Sequence, residues 1–219
     1  MINTNKEWNQ LFKELKSLMS KPDGNLVRIR ELSILLHGYT HETLTSENNN
    51  IQSLEDRFWH ANGNYRRFSQ SKPYSAAWHI WHSTRIEDIT CSHFLLNENE
   101  VLDTNEFYRK INVPFRHTGN SMDFHDMEIL NLNVNLDELR QYRIEVQKKT
   151  QQVFKQLTAE KLMGKVLQIS LQEIFKIGSI AKDDSWLLEY WGKKRISGII
   201  QMPLTRHLLV HLNSAMRMI

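Results

Sequence analysis

The last stretch of the chain combines residue types that can bind a metal ion. In "QMPLTRHLLVHLNSAMRM", from Gln201 to Met218, apolar residues and two histidines recur at spacings of three and four. This spacing predicts a helix in which His207 and His211 lie one turn apart on the buried face. A buried imidazole needs a partner for each ring nitrogen. A divalent ion is one such partner, because histidines at i and i+4 can direct their lone pairs to a common point.

A third histidine on another predicted helix could complete the site. The segment "SAAWHIWHSTRIEDITCSHFLL" predicts a helix over residues 75–96, and at about 100° per residue His82 lies at the centre of its apolar face. Antiparallel packing against the last helix could bring His82 opposite His207 and His211. Three neutral imidazoles leave a position open for water or substrate, which is typical of catalytic metal sites. The alternative is three core histidines that bond to backbone carbonyls and to each other.

Three polar residues on the same predicted helix could border such a site. His79 precedes His82 by about one turn and could be a fourth ligand or an outer-shell partner, although a histidine at the rim is the favoured interpretation. Arg85 could neutralise an anionic substrate at the pocket edge, although an ion pair with Asp88 or a neighbouring helix is the favoured interpretation. Glu87 points about 140° away from His82, so we expect it to bridge to another helix.

Other residues with possible chemistry are better explained by packing. Trp78 and Trp81 are the tryptophans nearest His82 and could line a pocket, but aromatic residues at helical spacing usually belong to the core. Cys91 lies among apolar neighbours in the middle of a helix, which predicts a buried, inert thiol. A second histidine pair, His37 and His41 in "HGYTH", flanks polar residues near a helix end, so we predict that both are mostly exposed, with metal binding as the less favoured alternative.

The spacing of apolar residues predicts the helices that position these side chains. Helical periodicity predicts helices over residues 6–20, 25–43, 75–96 and 167–177. Capping residues predict two more helices, which begin after Asn135 and after Ser185, and a last helix has Pro203 in its first turn. "KPDG" ends the first helix, and "TSENNN" (45–50) is a polar loop. The stretch 97–135 predicts short helical pieces or a lid-like loop.

Without a convincing alternating strand, the predicted fold class is all-α. The expected architecture is an antiparallel four-helix bundle with an extra N-terminal helix and short helical inserts, in one domain over residues 1–219.

Composition excludes several classes of protein. The net charge is only +3 with basic and acidic residues mixed, so we expect no nucleic-acid partner, and the run Lys193–Arg195 is interpreted as a solvated loop. No apolar run approaches a membrane span, and the N-terminus lacks a signal-peptide pattern. A single cysteine excludes an internal disulfide and favours a cytoplasmic location.

The two histidine segments together carry a family resemblance. "AWHIWHSTRIEDIT" and "MPLTRHLLVHLNSAMRM" resemble the DinB/YfiT-like family of metal-binding helical bundles, over about Leu54 to Met218 and including "LDELRQYRIEVQKKTQQVF". In that family one histidine of the second core helix joins an H-x-x-x-H pair on the last helix. His82, His207 and His211 occupy the matching positions. The resemblance implies a four-helix bundle, usually a homodimer, with zinc, nickel or iron in an open three-histidine site.

The resemblance implies a small-molecule substrate but does not select one reaction. Some members resemble thiol-dependent transferases, which use a low-molecular-weight thiol such as bacillithiol or mycothiol. Others resemble metal-dependent hydrolases and isomerases. An S-transferase, a hydrolase and a non-catalytic metal- or partner-binding stress protein all remain open, and no catalytic side chain is assigned beyond the metal ligands.

Overall fold

The computed structural model describes residues 2, 4–43, 53–61 and 63–219, and the predicted polar loop at 45–50 lies outside them. The described residues are helical, with isolated β-bridges but no β-strand, so the all-α prediction is confirmed for this part of the chain. None of its helices combines the length and apolar character needed to cross a bilayer. The α-helices are α1 (Asn5–Met19), α2 (Leu26–Tyr39), α3 (Leu54–His60), α4 (Ala76–Ile89), α5 (Val101–Thr104), α6 (Phe107–Lys110), α7 (Phe124–Asn133), α8 (Leu136–Lys155), α9 (Ala159–Met163), α10 (Gln168–Lys176), α11 (Trp186–Gly192), α12 (Ile196–Gln201) and α13 (His207–Met216).

Side-chain caps explain where the first and the longest helix begin. The Thr4 side chain accepts a hydrogen bond from the backbone N–H of Glu7, whose carboxylate accepts one from Thr4 in return. Asn135 accepts from two backbone amides at the start of α8, as predicted. Ser185 precedes α11 but makes no side-chain cap, so that part of the prediction is wrong.

Both helices that carry the predicted metal ligands contain a π-helical segment. Thr90–Leu96 continues α4, so the predicted helix over 75–96 is confirmed nearly end to end. Met202–Arg206 joins α12 to α13. The last helix therefore begins at Ile196 and not near Pro203. The wider π turn accommodates a proline that has no N–H to donate, while the Thr205 hydroxyl donates to the carbonyl of Ile200 at 2.8 Å.

Helix α4 occupies the centre of the packing and contacts both α13 and α8. His79 meets His211 and His82 meets His207, so α4 and α13 run in opposite directions. Their shared face brings together histidines that lie more than a hundred residues apart in the chain.

Helices α4 and α8 run in the same direction. Thr84 accepts a hydrogen bond from Arg143. Further toward the C-terminal end of both helices, Ser92 accepts one from Lys149. The prediction of uniformly antiparallel neighbours is therefore wrong for this pair. The physical reason is the stretch 97–135, which contains α5, α6 and α7 and returns the chain to the level at which α4 begins.

Buried apolar side chains form one cluster that extends from Ile2 to Ala215. Helix α2 packs on α1 and α8 and also contacts the π segment before α13. It runs opposite to α8, because Arg30 donates to the carbonyl of Leu157 near one end of the pair and Arg143 donates to that of Thr40 near the other. The core thus surrounds α4 on several sides, which leaves its polar residues buried.

Candidate metal centre

The three predicted ligands converge where α4 crosses α13. The Nε2 atoms of His82 and His207 lie 3.1 Å apart, and the ring of His211 is centred 4.3 Å from that of His207. One ring nitrogen from each of the three residues lies within 4.8 Å of the other two. The convergence predicted from helical spacing is confirmed, and the three side chains could hold a metal ion.

A backbone carbonyl sets the tautomer of His82. Its Nδ1 lies 2.8 Å from the carbonyl oxygen of Thr118, which can only accept a hydrogen bond, so Nδ1 carries the proton. The lone pair of the neutral ring is then on Nε2, the atom that faces His207. Metal-bound histidines are commonly oriented in this way by a carbonyl on the far side of the ring. Sequence reasoning did not identify Thr118, because its contribution is a main-chain atom in an irregular segment.

Trp78 and Gly119 hold the same imidazole in place. The Trp78 ring stacks on His82 with 4.7 Å between centroids and 6° between planes, and its Nε1 donates to the Gly119 carbonyl at 3.0 Å. Gly119 has φ +81°, and a Cβ atom there would lie 3.1 Å from Trp78 Nε1. Glycine is therefore favoured both by the backbone conformation and by the close approach of the indole. Trp78, which the sequence suggested could line a pocket, packs directly against a predicted ligand.

Burial keeps the cluster in the uncharged form that a metal requires. It lowers the pKa of His82 to about 4, and burial together with neighbouring His82 holds the pKa of His207 well below its ordinary value. His82 is buried, whereas His207 and His211 are each partly exposed. Burial and the neighbouring imidazoles also lower the pKa of His211, so all three rings are neutral at neutral pH and their lone pairs are available.

The donor set fits a divalent ion. Two ligands bound at about 2.0–2.1 Å to a tetrahedral ion are separated by roughly 3.3 Å, close to the observed separation of the two Nε2 atoms. His207 Nδ1 is buried and has no hydrogen-bond partner, so the apolar surroundings alone do not satisfy this ring. An ion bound through Nε2 would leave this nitrogen without a partner as well, so the fit of the site to a metal depends on the separation of the two Nε2 atoms.

His79 lies behind His211 and not among the ligands. The Nδ1 atoms of the two rings are 2.9 Å apart, so one of them donates to the other. His79 does not belong to the group of mutually close ligand atoms. It is mostly buried, and burial lowers its pKa to about 4. Of the three roles considered, outer-shell partner is the one that this geometry matches.

Arg85 belongs to a buried ion-pair cluster. It donates to Glu100 at 2.6 Å, to the hydroxyl of Tyr142 at 2.8 Å and to Asp88 at 3.3 Å, and its side chain is fully buried. These contacts match the ion-pair interpretation. Arg85 does not line the cleft beside the histidines, so it is not placed to bind an anionic substrate there.

A cleft of about 210 Å³ opens against His82 and His207. Apart from these rings and Asn120 its walls are apolar or aromatic, and they come mainly from α4, α11 and the π segment before α13: Ile86, Trp186, Leu187, Tyr190, Trp191, Met202 and Pro203. A larger groove of about 890 Å³ lies beside α5 and α8, is lined by many charged residues and touches none of the three ligands. The smaller cleft is therefore the one next to potential chemistry. No sequence pattern indicated that α11 would contribute to this cleft.

His37 and His41 correct a prediction. Both were expected to be mostly exposed, but each side chain is 0% exposed, and their Nε2 atoms lie 2.6 and 2.9 Å from the two carboxylate oxygens of Glu87. The polar residues around them misled the interpretation, because a polar stretch near a helix end does not reveal that a carboxylate on another helix covers it. The expected bridge from Glu87 to another helix is confirmed, and it runs to α2.

No protein-family model matches the chain, and no curated protein matches it. The resemblance to the DinB/YfiT-like family therefore stays a prediction from the two histidine segments.

Proposed function

We propose that this chain is a DinB-like metalloenzyme in which His82, His207 and His211 hold one divalent ion beside a substrate cleft. The observation that carries the proposal is the orientation of His82. Its Nδ1–H donates to the carbonyl of Thr118, so the lone pair on Nε2 faces the other two rings at the wall of an apolar cleft. Zinc, nickel and iron all suit imidazole ligands. When bound, such an ion lowers the pKa of water or a thiol and so supplies a nucleophile at neutral pH.

The residues around the ligands would orient the site and exclude water. Trp78 and Thr118 fix the plane of His82, and His79 supports His211 from behind. The aromatic and aliphatic cleft walls favour a small, largely apolar substrate.

The nucleophile has to come from outside the protein. Cys91 is the single cysteine, it is 1% exposed, and burial raises its pKa to about 12. Our first candidate reaction is therefore the attack of a separate low-molecular-weight thiol on an electrophilic carbon of the substrate. Hydrolysis by water at the same site is the second.

We also propose the bundle that the family resemblance implies. Its four helices would be α2, α8, α4 and the combined α12–α13 with its π segment, each of which contacts the next in this order around a closed ring. α4 and α8 would form one parallel pair, and α2 and the combined α12–α13, which run opposite to them, would form the other. A homodimer would accompany this arrangement, and light scattering of the purified chain tests it.

Metal analysis of protein made without an affinity tag tests the proposal. We expect a stoichiometric divalent ion at this site, and we expect His82→Ala and His207→Ala each to lower the metal content by one ion per chain. His125→Ala serves as the matched control, because this histidine is 77% exposed and lies outside both histidine clusters. The proposal fails if both ligand variants bind as much metal as the control.

A reaction screen then separates the two candidate activities. The loaded protein is offered electrophiles with and without small thiols, and esters in the absence of a thiol. Thiol conjugation that disappears in His207→Ala supports the transferase, and ester cleavage that disappears supports the hydrolase. A folded, loaded protein inactive in both arms would favour the non-catalytic alternative.

A further inference from the structure

A second cluster of metal-ligating side chains lies between α2 and α4, separate from the three-histidine site. His37 and His41 stack with 3.9 Å between ring centroids, and their Nε2 atoms both face the carboxylate of Glu87. One ligand atom from each of the three residues lies within 4.8 Å of the other two. All three side chains are completely buried. None of these residues has a role in the function proposed above.

A neutral His41 ring cannot donate a hydrogen bond to both of the acceptors that its two nitrogens face. Its Nδ1 lies 2.9 Å from the carbonyl oxygen of His37, and its Nε2 lies 2.9 Å from a Glu87 oxygen. The Thr40 hydroxyl lies 3.3 Å from the same Nδ1 but donates its proton to the His37 carbonyl at 2.8 Å. A carbonyl and an ionised carboxylate both accept hydrogen bonds and donate none. A neutral imidazole carries one N–H, so one of the two contacts would place a lone pair against a lone pair. A cation between His41 and Glu87 removes that conflict.

The charge of Glu87 requires compensation as well. Within the described residues the carboxylate has the two imidazoles as its hydrogen-bond partners, and no lysine or arginine forms an ion pair with it. A buried carboxylate without a positive partner is strongly disfavoured. His37 can donate one hydrogen bond through Nε2, but a neutral ring brings no positive charge. The cluster therefore needs a positive charge among its three side chains.

We propose that His37, His41 and Glu87 bind a second divalent transition-metal ion, which joins α2 to α4. Two imidazole nitrogens and a carboxylate that uses both oxygens give four donor atoms, a set that suits zinc, iron or manganese. The Glu87 oxygens would move away from the nitrogens by roughly half an ångström to reach the separations of about 3 Å or more expected around such an ion. Full burial leaves no room for a substrate, so the ion has a structural role.

Glu87→Gln separates a metal site from a cluster that merely holds a proton. A glutamine amide can donate to the free lone pair of His41 and accept from His37, so the variant satisfies the hydrogen bonds without any cation. Metal is measured by mass spectrometry in untagged full-length protein grown with zinc, iron and manganese. We expect two ions per chain in the wild type and one in Glu87→Gln, with His125→Ala unchanged. Equal metal content in the wild type and Glu87→Gln overturns the proposal.

The double variant His82→Ala/His207→Ala distinguishes this inference from the proposed function. It should keep one ion, which Glu87→Gln then removes. If the wild type holds a single ion that the double variant loses, the second site is refuted while the proposed function stands. If the single ion is instead lost in Glu87→Gln alone, the second site stands and the proposed function fails.

A measurement that needs no change in Glu87 covers the case in which Glu87→Gln does not fold. The double variant loaded with Co²⁺ is studied by X-ray absorption. A mixed shell of nitrogen and oxygen, with two imidazoles, supports the site. Failure of the folded double variant to retain Co²⁺ overturns it.

Discussion

Metal-free protein should lose stability in mild acid because His82 is buried as a neutral ring. Burial lowers its pKa to about 4, against 6.5 in the absence of the fold. Below pH 6.5 the unfolded chain binds a proton that the folded chain refuses, so the free energy of unfolding falls as the pH falls from 6.5 toward 4. Above pH 6.5 the ring is neutral in both states and contributes no pH dependence.

The size of this effect follows from the displacement of the pKa. The full displacement is equivalent to about 3 kcal/mol, of which about 2 kcal/mol is lost between pH 7 and pH 5. Urea unfolding of chelator-treated protein, followed by tryptophan fluorescence at the two pH values, measures it. His82→Gln should lose about 2 kcal/mol less than the wild type over this interval, because the amide can still donate to Thr118 but does not titrate. Equal losses in the two proteins would refute the assignment of a buried neutral ring.

Three other predictions concern His79, Tyr142 and Cys91. His79→Phe should weaken metal binding by about 10–100-fold without changing the stoichiometry, because it removes the partner of His211 and no ligand; competition with a chromophoric chelator measures the shift. Tyr142→Phe should lower the free energy of unfolding by about 1–3 kcal/mol in urea titrations, because the hydroxyl donates to buried Asp88 at 2.7 Å. The Cys91 thiol should react with a thiol reagent at pH 8 only after unfolding, since burial raises its pKa to about 12; fast labelling of the native protein would contradict its burial.

The three-histidine site could be predicted because it depends on helical periodicity. A spacing of four places His207 and His211 on one face whatever their neighbours are, and the position of His82 on its own helix follows from the same 100° per residue. The directions of the helices around the site were harder to predict from the sequence. Whether α8 runs with α4 or against it depends on the path of residues 97–135, and that path is determined by tertiary packing.

The residues around the site could not be predicted from the sequence for a different reason. Thr118 acts through its carbonyl oxygen, which every residue possesses, so no residue type marks it. His37 and His41 were interpreted as exposed because Gly38 and polar neighbours surround them. Their burial depends on Glu87, about fifty residues away, and pairing over such a distance leaves no local pattern.

The π segment Met202–Arg206 has a consequence for the geometry of the last helix. A turn that closes over five residues contains one more residue than an α turn, so everything after it is rotated by about 100° around the axis relative to an uninterrupted helix. The aim of His207 and His211 toward α4 thus depends on this one wide turn. If the same residues between Met202 and Arg206 formed regular α-helical turns, both imidazoles would swing toward another direction, although every ligand would still be present.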